Sequence, residues 1–182
     1  MENQKAPQVP FSAKIVLGIL IVALVLVSLI IFETYHIPSW PAYVAMILFF
    51  IVHENVALVP NIIVGGAFGI FCFFLLEVFL KATAPLMGGI LIPVLIFVGV
   101  FVFLIVLLTD YLPYLFNSFA FLYFTISILA SESAHNNPMA WVTWLATEVI
   151  GGLLLILGVI GSFKVLGNML RSAARSDASK ST

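Results

Sequence analysis

One carboxyl group lies deep inside an apolar part of the chain, where it could do chemistry. Glu148 occurs in the stretch AWVTWLATEVIGG, shortly after Thr143 and Thr147. It follows the predicted start of its helix by about ten residues, which places it about 15 Å into the membrane. An ionisable group at that depth is costly and is by default a candidate functional site. Glu148 could relay protons or hydrogen-bond a substrate. The alternatives are a structural glutamate bonded across helices and a glutamate near the interface.

A second polar cluster interrupts a long apolar run. His53, Glu54 and Asn55 are consecutive, and Asn61 follows shortly after them. If the helix before them continues to Leu58, the triplet lies inside the membrane and forms a polar vestibule or substrate site, with His53 as a proton switch. The alternative is a short cytoplasmic turn with solvated side chains. We favour the first interpretation, because a helix that ended before the triplet would be too short to span the membrane.

The sequence contains no recognisable catalytic or metal-binding motif. It has no P-loop, no GxSxG and no HExxH, and its His and Cys residues are not spaced as metal ligands. Cys72 is the only cysteine and lies in GIFCFFLL, a context typical of a buried, inert thiol. We therefore predict no catalytic residue, no bound metal and no cofactor, and we expect that the protein is not an enzyme.

The composition places the chain in a membrane. Of its 182 residues, 63% are hydrophobic and only 8% are charged, whereas a soluble domain carries about 25% charged residues. The protein is therefore predicted to be integral to a membrane, with the lipid bilayer as a partner. The net charge of −1 provides no basic surface, so no nucleic-acid partner is expected.

Polar or proline-containing breaks divide the chain into apolar segments. The segments are long and continuously apolar, which excludes the alternating ten-residue strands of a membrane barrel. The sequence predicts an all-α bundle of about six transmembrane helices, at about residues 14–32, 41–58, 60–81, 85–108, 113–130 and 138–166. We expect the membrane domain to cover residues 13–168. Residues 1–12 and 169–182 would be cytoplasmic tails, the second one disordered.

The basic residues are distributed unevenly around these segments. Lys5 and Lys14 precede the apolar run of helix 1, and all other Lys and Arg residues except Lys81 lie at or after the end of helix 6. With an even number of spans they fall on one side of the membrane. Because cytoplasmic loops carry an excess of Lys and Arg, both termini are predicted to be cytoplasmic.

Glycine pairs follow a polar residue in the third and the sixth helix. The stretch NIIVGGAFG contains Gly65 and Gly69, and TEVIGGLLLILG contains Gly151 and Gly152. We predict that these four glycines let helix backbones approach closely. If helices 1–3 and 4–6 are duplicates, three spans per unit would make a 3+3 inverted repeat, a recurring transporter architecture. Glycine pairs are common in membrane helices, so packing alone also fits the pattern.

Two stretches resemble a known family in their layout. HENVALVPNIIVGGAFG has a polar and proline break before a glycine-rich third helix, and WVTWLATEVIGGLLLILGVIG has a Trp-containing entry and a glycine-rich run. Over roughly residues 15–168 this layout resembles domain-of-unknown-function family 1097, small bacterial inner-membrane proteins. The resemblance implies a bacterial cytoplasmic membrane, and it implies no functional residues.

The sequence is compatible with three classes of function. The first is a channel or transporter for a small solute or a proton-coupled metabolite, whose candidate pore, substrate or proton site comprises His53, Glu54, Asn55, Asn61 and Glu148. The second is a non-transporting membrane scaffold or assembly partner, built by glycine-lined helix interfaces. A membrane enzyme ranks last. The expected partners besides lipid are an unknown small solute and further copies of the chain in a homo-oligomer.

Overall fold

The structure is a computed structural model that describes residues 11–132, 137 and 139–180. Within this part of the chain it is all-helical and has no strand, which confirms the prediction of an all-α protein. The helices are α1 (Phe11–Thr34), α2 (Trp40–Ile51), α3 (Val59–Thr83), α4 (Leu91–Leu108), α5 (Ser118–Ser131), α6 (Ala140–Ala146) and α7 (Leu153–Lys180). A π-helical segment, Thr147–Gly152, joins α6 to α7, and a 3-10 turn, Val56–Leu58, precedes α3.

Four helical stretches of the described chain are long and apolar enough to cross a membrane. They are Phe11–Thr34, Val56–Thr83, Leu91–Leu108 and Ala140–Ser172. The two remaining helices, α2 and α5, have 12 and 14 residues. At about 1.5 Å per residue they are about 18 and 21 Å long, less than a bilayer core of about 30 Å. Two of the six predicted helices are therefore shorter than a membrane span.

The end of α2 differs most from the sequence prediction. The helix was expected to continue to residue 58, but it ends at Ile51. His53 and Glu54 have positive φ angles of 55° and 53°, in the left-handed region that a right-handed helix cannot contain. Asn55 then caps the next turn, because its side chain accepts a hydrogen bond from the backbone N–H of Ala57. The triplet is thus a turn and does not belong to a membrane helix.

Two other helices begin later than predicted. The fourth helix was expected from residue 85 and begins at Leu91, because Gly88 and Gly89 adopt positive φ angles of 71° and 149°. The fifth was expected from residue 113 and begins at Ser118, where the Asn117 side chain accepts a hydrogen bond from Ala120 N. A local backbone or capping preference sets each of these boundaries.

The C-terminal segment is helical where a disordered tail was expected. α7 continues to Lys180, and the stretch RSAARSDASK has Ala, Arg and Lys, which favour a helix, and neither Gly nor Pro. Most of the predicted N-terminal tail, residues 1–12, lies outside the described residues, as do residues 181–182 and part of the polar loop before α6.

α5 packs along α3 at a row of glycines. A Cβ atom at Gly65 would lie 2.5 Å from Oδ1 of Asn117, and one at Gly69 would lie 2.9 Å from the backbone N of Phe124. The two backbones therefore approach closely along this face. This contact joins the short helix of the C-terminal half to the long helix of the N-terminal half.

α2 packs in a corresponding way on the last helical stretch. A Cβ atom at Gly152 would lie 2.8 Å from Cβ of Ala45, and one at Gly151 would lie 3.1 Å from Cβ of Ala42. The short helix of the N-terminal half thus lies against the π segment and α7. Each short helix therefore packs on the long helix that belongs to the other half of the chain.

Candidate functional site

Glu148 is the second residue of the π-helical segment and is completely buried, with 0% of its surface exposed. Among the acidic residues whose side chains the structure describes, it alone is buried. The segment TEVIGG ends in two glycines, which have little preference for an α-helix. Single π-helical turns within α-helices are rare, and where they occur they are frequently found at functional sites. The local backbone therefore sets this carboxyl apart from the other acidic groups.

Tyr123 of α5 is the polar partner of Glu148. Its side chain is also fully buried, and its hydroxyl group hydrogen-bonds Oε2 of Glu148. The same hydroxyl oxygen lies 2.7 Å from the carbonyl oxygen of Pro41, in the first turn of α2. One hydroxyl group thus links α5, α2 and the π segment, and it connects both halves of the chain.

Two glycines make the space that the carboxyl occupies. A Cβ atom at Gly66 of α3 would contact Oε1 of Glu148 and lie 2.7 Å from Cε2 of Tyr123. A Cβ atom at Gly152 would lie 3.4 Å from Oε2 of Glu148. Gly66 therefore has no room for a side chain. The sequence prediction assigned packing roles to Gly65, Gly69, Gly151 and Gly152, but it did not include Gly66.

Two buried side-chain polar atoms have no hydrogen-bond partner within the described chain. They are Oε1 of Glu148 and Oγ of Ser127. Ser127 is fully buried and lies four residues after Tyr123 on α5, about one helical turn away. Since buried polar groups are nearly always paired, unpaired ones often mark a functional position. The site thus retains hydrogen-bonding capacity.

Aromatic side chains enclose one side of the site. The rings of Trp40 and Trp144 are 5.4 Å apart in an edge-on arrangement, and the ring of Trp40 lies 6.2 Å from that of Tyr123. Phe73 of α3 packs on Trp144 at 5.6 Å. Such contacts hold the Tyr123 ring in place and exclude water from the hydroxyl–carboxyl pair.

An apolar cleft of about 400 Å³ lies on the other side of the π segment. Its walls come from α1 and from the stretch between Thr143 and Leu155, and they include Thr147 and Gly151. Thr147 directly precedes Glu148 in the chain. The π segment is therefore the wall between this cleft and the buried carboxyl.

The triplet His53–Asn55 lies in a different part of the fold from Glu148. Glu54 is half-buried and lines a cavity of about 440 Å³ together with Lys164, Asn168 and Arg171 of α7. His53 and Asn55 are exposed, and the Asn55 side chain is engaged as a cap. Neither of the two cavities is lined by both Glu54 and Glu148. The structure thus separates the two candidates that the sequence had placed on one path.

Asn61 also lies away from Glu148. Its side-chain amide donates a hydrogen bond to the carbonyl oxygen of Pro113 at 3.0 Å. Asn117 donates to the same oxygen at 2.8 Å and to the carbonyl oxygen of Asn61 at 3.3 Å. These bonds hold the loop before α5 against the first turns of α3. Asn61 therefore positions a helix, and the geometry gives it no role at the carboxyl.

Sequence reasoning identified Glu148 but not its surroundings. Tyr123 lies in the middle of a predicted membrane helix, and a buried hydroxyl at that depth needs a partner. That signal was present in the sequence. The carbonyl of Pro41 and the space at Gly66 had no comparable signal, because both depend on how distant helices meet.

Comparisons with known proteins add no identity. No protein-family model, no curated protein and no solved structure matches the chain. The resemblance to domain-of-unknown-function family 1097 thus stays a prediction, and the geometry around Glu148 is the main indication of function.

Proposed function

We propose that the protein is a channel or transporter for a small solute or a proton-coupled metabolite. The buried pair of Glu148 and Tyr123, which lies where helices of both halves of the chain meet, carries this proposal. Ionisable groups within membrane bundles are costly and mark substrate, ion or proton paths. A purely structural contact could be made at lower cost by apolar side chains.

The crosswise packing of the short helices supports a 3+3 inverted repeat. α2 lies against the glycine pair at 151–152, and α5 lies against the glycines between 65 and 69. In each half a long apolar helix is followed by a short helix and then by a long glycine-containing one. Transporters with inverted repeats often use short or broken helices whose ends meet at a central site. The first turn of α2 at the Tyr123 hydroxyl fits that arrangement.

We further propose that the membrane is the bacterial cytoplasmic membrane, with both termini in the cytoplasm. The apolar helices support a membrane location. The distribution of basic residues supports the orientation, since Lys14 lies in the first turn of α1 and Lys164 and Arg171 lie on α7. The family resemblance supports the bacterial location.

A flux assay in liposomes tests the transport function. The full chain is reconstituted, and the uptake of neutral solutes, weak acids and protons is measured with an internal pH-sensitive dye and with swelling. We expect Glu148→Gln to reduce the flux of the transported solute at least tenfold. Glu33→Gln is the matched control, because Glu33 is exposed at the end of α1. Equal flux in both variants and the wild type would exclude Glu148 from transport.

A scaffold function is the second candidate, and the exposure of two long helices favours it. In α1 and in α4, only 11% of the membrane-span window is buried. Gly18 and Gly99 on these helices have no atom within 4 Å of an added Cβ. Open glycines allow another helix to approach closely, as in a homo-oligomer. Native mass spectrometry of Gly99→Leu tests this, because a scaffold should then lose its partner copy. Gly161→Leu is the control and should keep it, because the stretch Ala140–Ser172 that contains this open glycine is 33% buried and offers less free surface to a partner.

A further inference from the structure

The Tyr123 hydroxyl group meets two acceptors but has only one hydrogen to donate. Its oxygen lies 2.7 Å from the carbonyl oxygen of Pro41 and also contacts Oε2 of Glu148. A carbonyl oxygen accepts only, and an ionised carboxylate accepts only. With an ionised Glu148, one of the two contacts would join two oxygens with no hydrogen between them. With a protonated Glu148, the acid O–H donates to Tyr123 and the Tyr123 O–H donates to Pro41.

The surroundings of Glu148 are neutral. Its recorded neighbours on α3, α5 and the π segment include Gly66, Tyr123 and Gly152, none of which carries a positive charge. A buried carboxylate without a counter-charge is strongly unfavourable. The second oxygen, Oε1, is unpaired within the described chain. An unpaired oxygen costs less in a neutral acid than in a charged carboxylate.

The other titratable groups on the helices around Glu148 face elsewhere. The Tyr43 hydroxyl of α2 contacts the Ser28 hydroxyl at 3.0 Å on the α1 side. On α3, Cys72 comes six residues after Gly66, and Glu77 and Lys81 lie at least eleven residues after it, about 16 Å along the helix or more. Lys164 and Arg171 line the separate cavity beside Glu54. Tyr123 is therefore the one titratable group that faces Glu148 in the described chain.

A metal cation does not fit this site. The oxygen atoms that converge are those of the Glu148 carboxyl, the Tyr123 hydroxyl and the Pro41 carbonyl. Gly66 and Gly152 lie beside the carboxyl, and Ala45 and Ile63, which lie next to Gly152, are apolar. Hard cations take roughly six or more oxygen ligands, so this set is too small. A proton needs only one oxygen and one hydrogen-bond acceptor.

We propose that the ligand of this site is a proton, carried by Glu148 as a carboxylic acid in the conformation observed here. The inference rests on the transport function proposed above and names its coupling ion.

The hydrogen-bond series Glu148–Tyr123–Pro41 is then complete, with one donor and one acceptor at each contact, and it connects α5 and α2 to the π segment. Release of the proton requires a second conformation that admits water to the carboxyl, because the site is closed to water in the conformation observed here. The acid O–H bond then breaks, its electron pair stays on the carboxylate, and the proton passes to that water. The Tyr123 hydrogen then turns to the carboxylate, and Pro41 loses its donor. Release of the proton therefore loosens the first turn of α2.

Infrared spectroscopy of the full chain in liposomes at neutral pH tests the inference. We expect a C=O stretching band of a protonated carboxylic acid in the wild type that is absent from Glu148→Gln and shifts in D₂O. In Tyr123→Phe the band should move to higher frequency, because the acid loses its acceptor. No band in the difference between wild type and Glu148→Gln would overturn the proposal. A band that Tyr123→Phe leaves unshifted would overturn the donor–acceptor chain.

Two controls keep the result unambiguous. Glu148→Gln should fold, because its side-chain amide can donate to Tyr123, and circular dichroism and gel filtration check this. If it does not fold, wild-type protein labelled with ¹³C-glutamate replaces it. A carboxylic acid band that shifts on labelling then supports the proposal, and the absence of such a band overturns it.

The infrared spectrum can be measured without a transported solute. A band without any flux would therefore refute the transport function alone, and flux without a band would refute the proton assignment alone.

Discussion

Two polar regions interrupt this apolar chain, and they are stabilised in opposite ways. The buried region consists of Glu148, Tyr123 and Pro41, whose contacts join residues 25 and 82 positions apart. The exposed region is the turn at His53–Asn55, whose side-chain bond joins Asn55 to Ala57. In the first region the partners come from distant helices, and in the second the partner comes from the next turn. A buried polar group in this bundle therefore depends on the whole fold, whereas a turn depends on local backbone geometry.

This contrast predicts how the two regions respond to substitution. Changes at the buried region disturb packing and leave polar atoms without partners, which is expensive where water is excluded. Changes at the turn alter a local conformational preference, which is a small effect. If substitutions in the two regions had equal effects on stability, the two regions would not be stabilised in opposite ways.

The largest effect is expected for Gly66→Ala. The added Cβ would lie 2.7 Å from Tyr123 and would also contact Glu148, and both of these side chains are fully buried. Overpacking of this kind costs about 3 kcal/mol. The measurement is the free energy of unfolding in mixed micelles, followed by circular dichroism during an SDS titration.

Gly99→Ala is the matched control for this change. Gly99 lies in the middle of α4 and has nothing within 4 Å of an added Cβ. Since Ala favours a helix over Gly by about 1 kcal/mol, this variant should be unchanged or slightly more stable. Equal stability of Gly66→Ala and Gly99→Ala would show that the space at Gly66 is not needed by the Glu148 carboxyl.

A smaller effect is expected for Tyr123→Phe. The substitution keeps the ring between Trp40 and the helices but removes the hydroxyl that bonds Glu148 and Pro41. Hydrogen bonds within membrane bundles contribute modestly, so we expect a loss of about 1–2 kcal/mol in the same SDS titration. Tyr111→Phe is the control, because Tyr111 is 78% exposed. If both variants lose the same amount, the Tyr123 hydroxyl does not join the three helices.

The same contrast explains which features the sequence could predict. Composition and segment length predict an all-helical membrane protein, because they depend only on local hydrophobicity. Glu148 could be identified because a lone carboxyl in an apolar run is conspicuous. Its contacts with Tyr123 and Gly66, and the link through Tyr123 to Pro41, could not, since these residues lie 25 to 107 positions away from Glu148 along the chain and no local pattern encodes which helices meet.

The misplaced end of α2 has a specific cause. The length argument assumed that every apolar segment crosses the membrane, and so it extended the helix to residue 58. The helix ends at Ile51, and most of its side chains are covered where it packs as a short element on the π segment and α7. Ala42, Ala45 and Phe49 are completely buried in this contact region. A short helix that is covered by protein does not need the length of a membrane span.

The smallest effect is expected for His53→Gly, and its sign is opposite to that at Gly66. His53 has a φ of 55°, a conformation that costs an L-residue roughly 1–2 kcal/mol and costs glycine nothing. Glycine also adds freedom to the unfolded chain, which offsets roughly 0.5–1 kcal/mol. The net result is a stabilisation of about 0.5–1 kcal/mol in the SDS titration.

Ala84→Gly is the control for His53→Gly. The φ of Ala84 is −59°, which gives glycine no advantage, so this variant should lose stability. A loss at His53→Gly as large as that at Ala84→Gly would mean that the imidazole makes a contact that outweighs the backbone preference. The turn would then resemble the buried region, and the distinction between the two polar regions would fail.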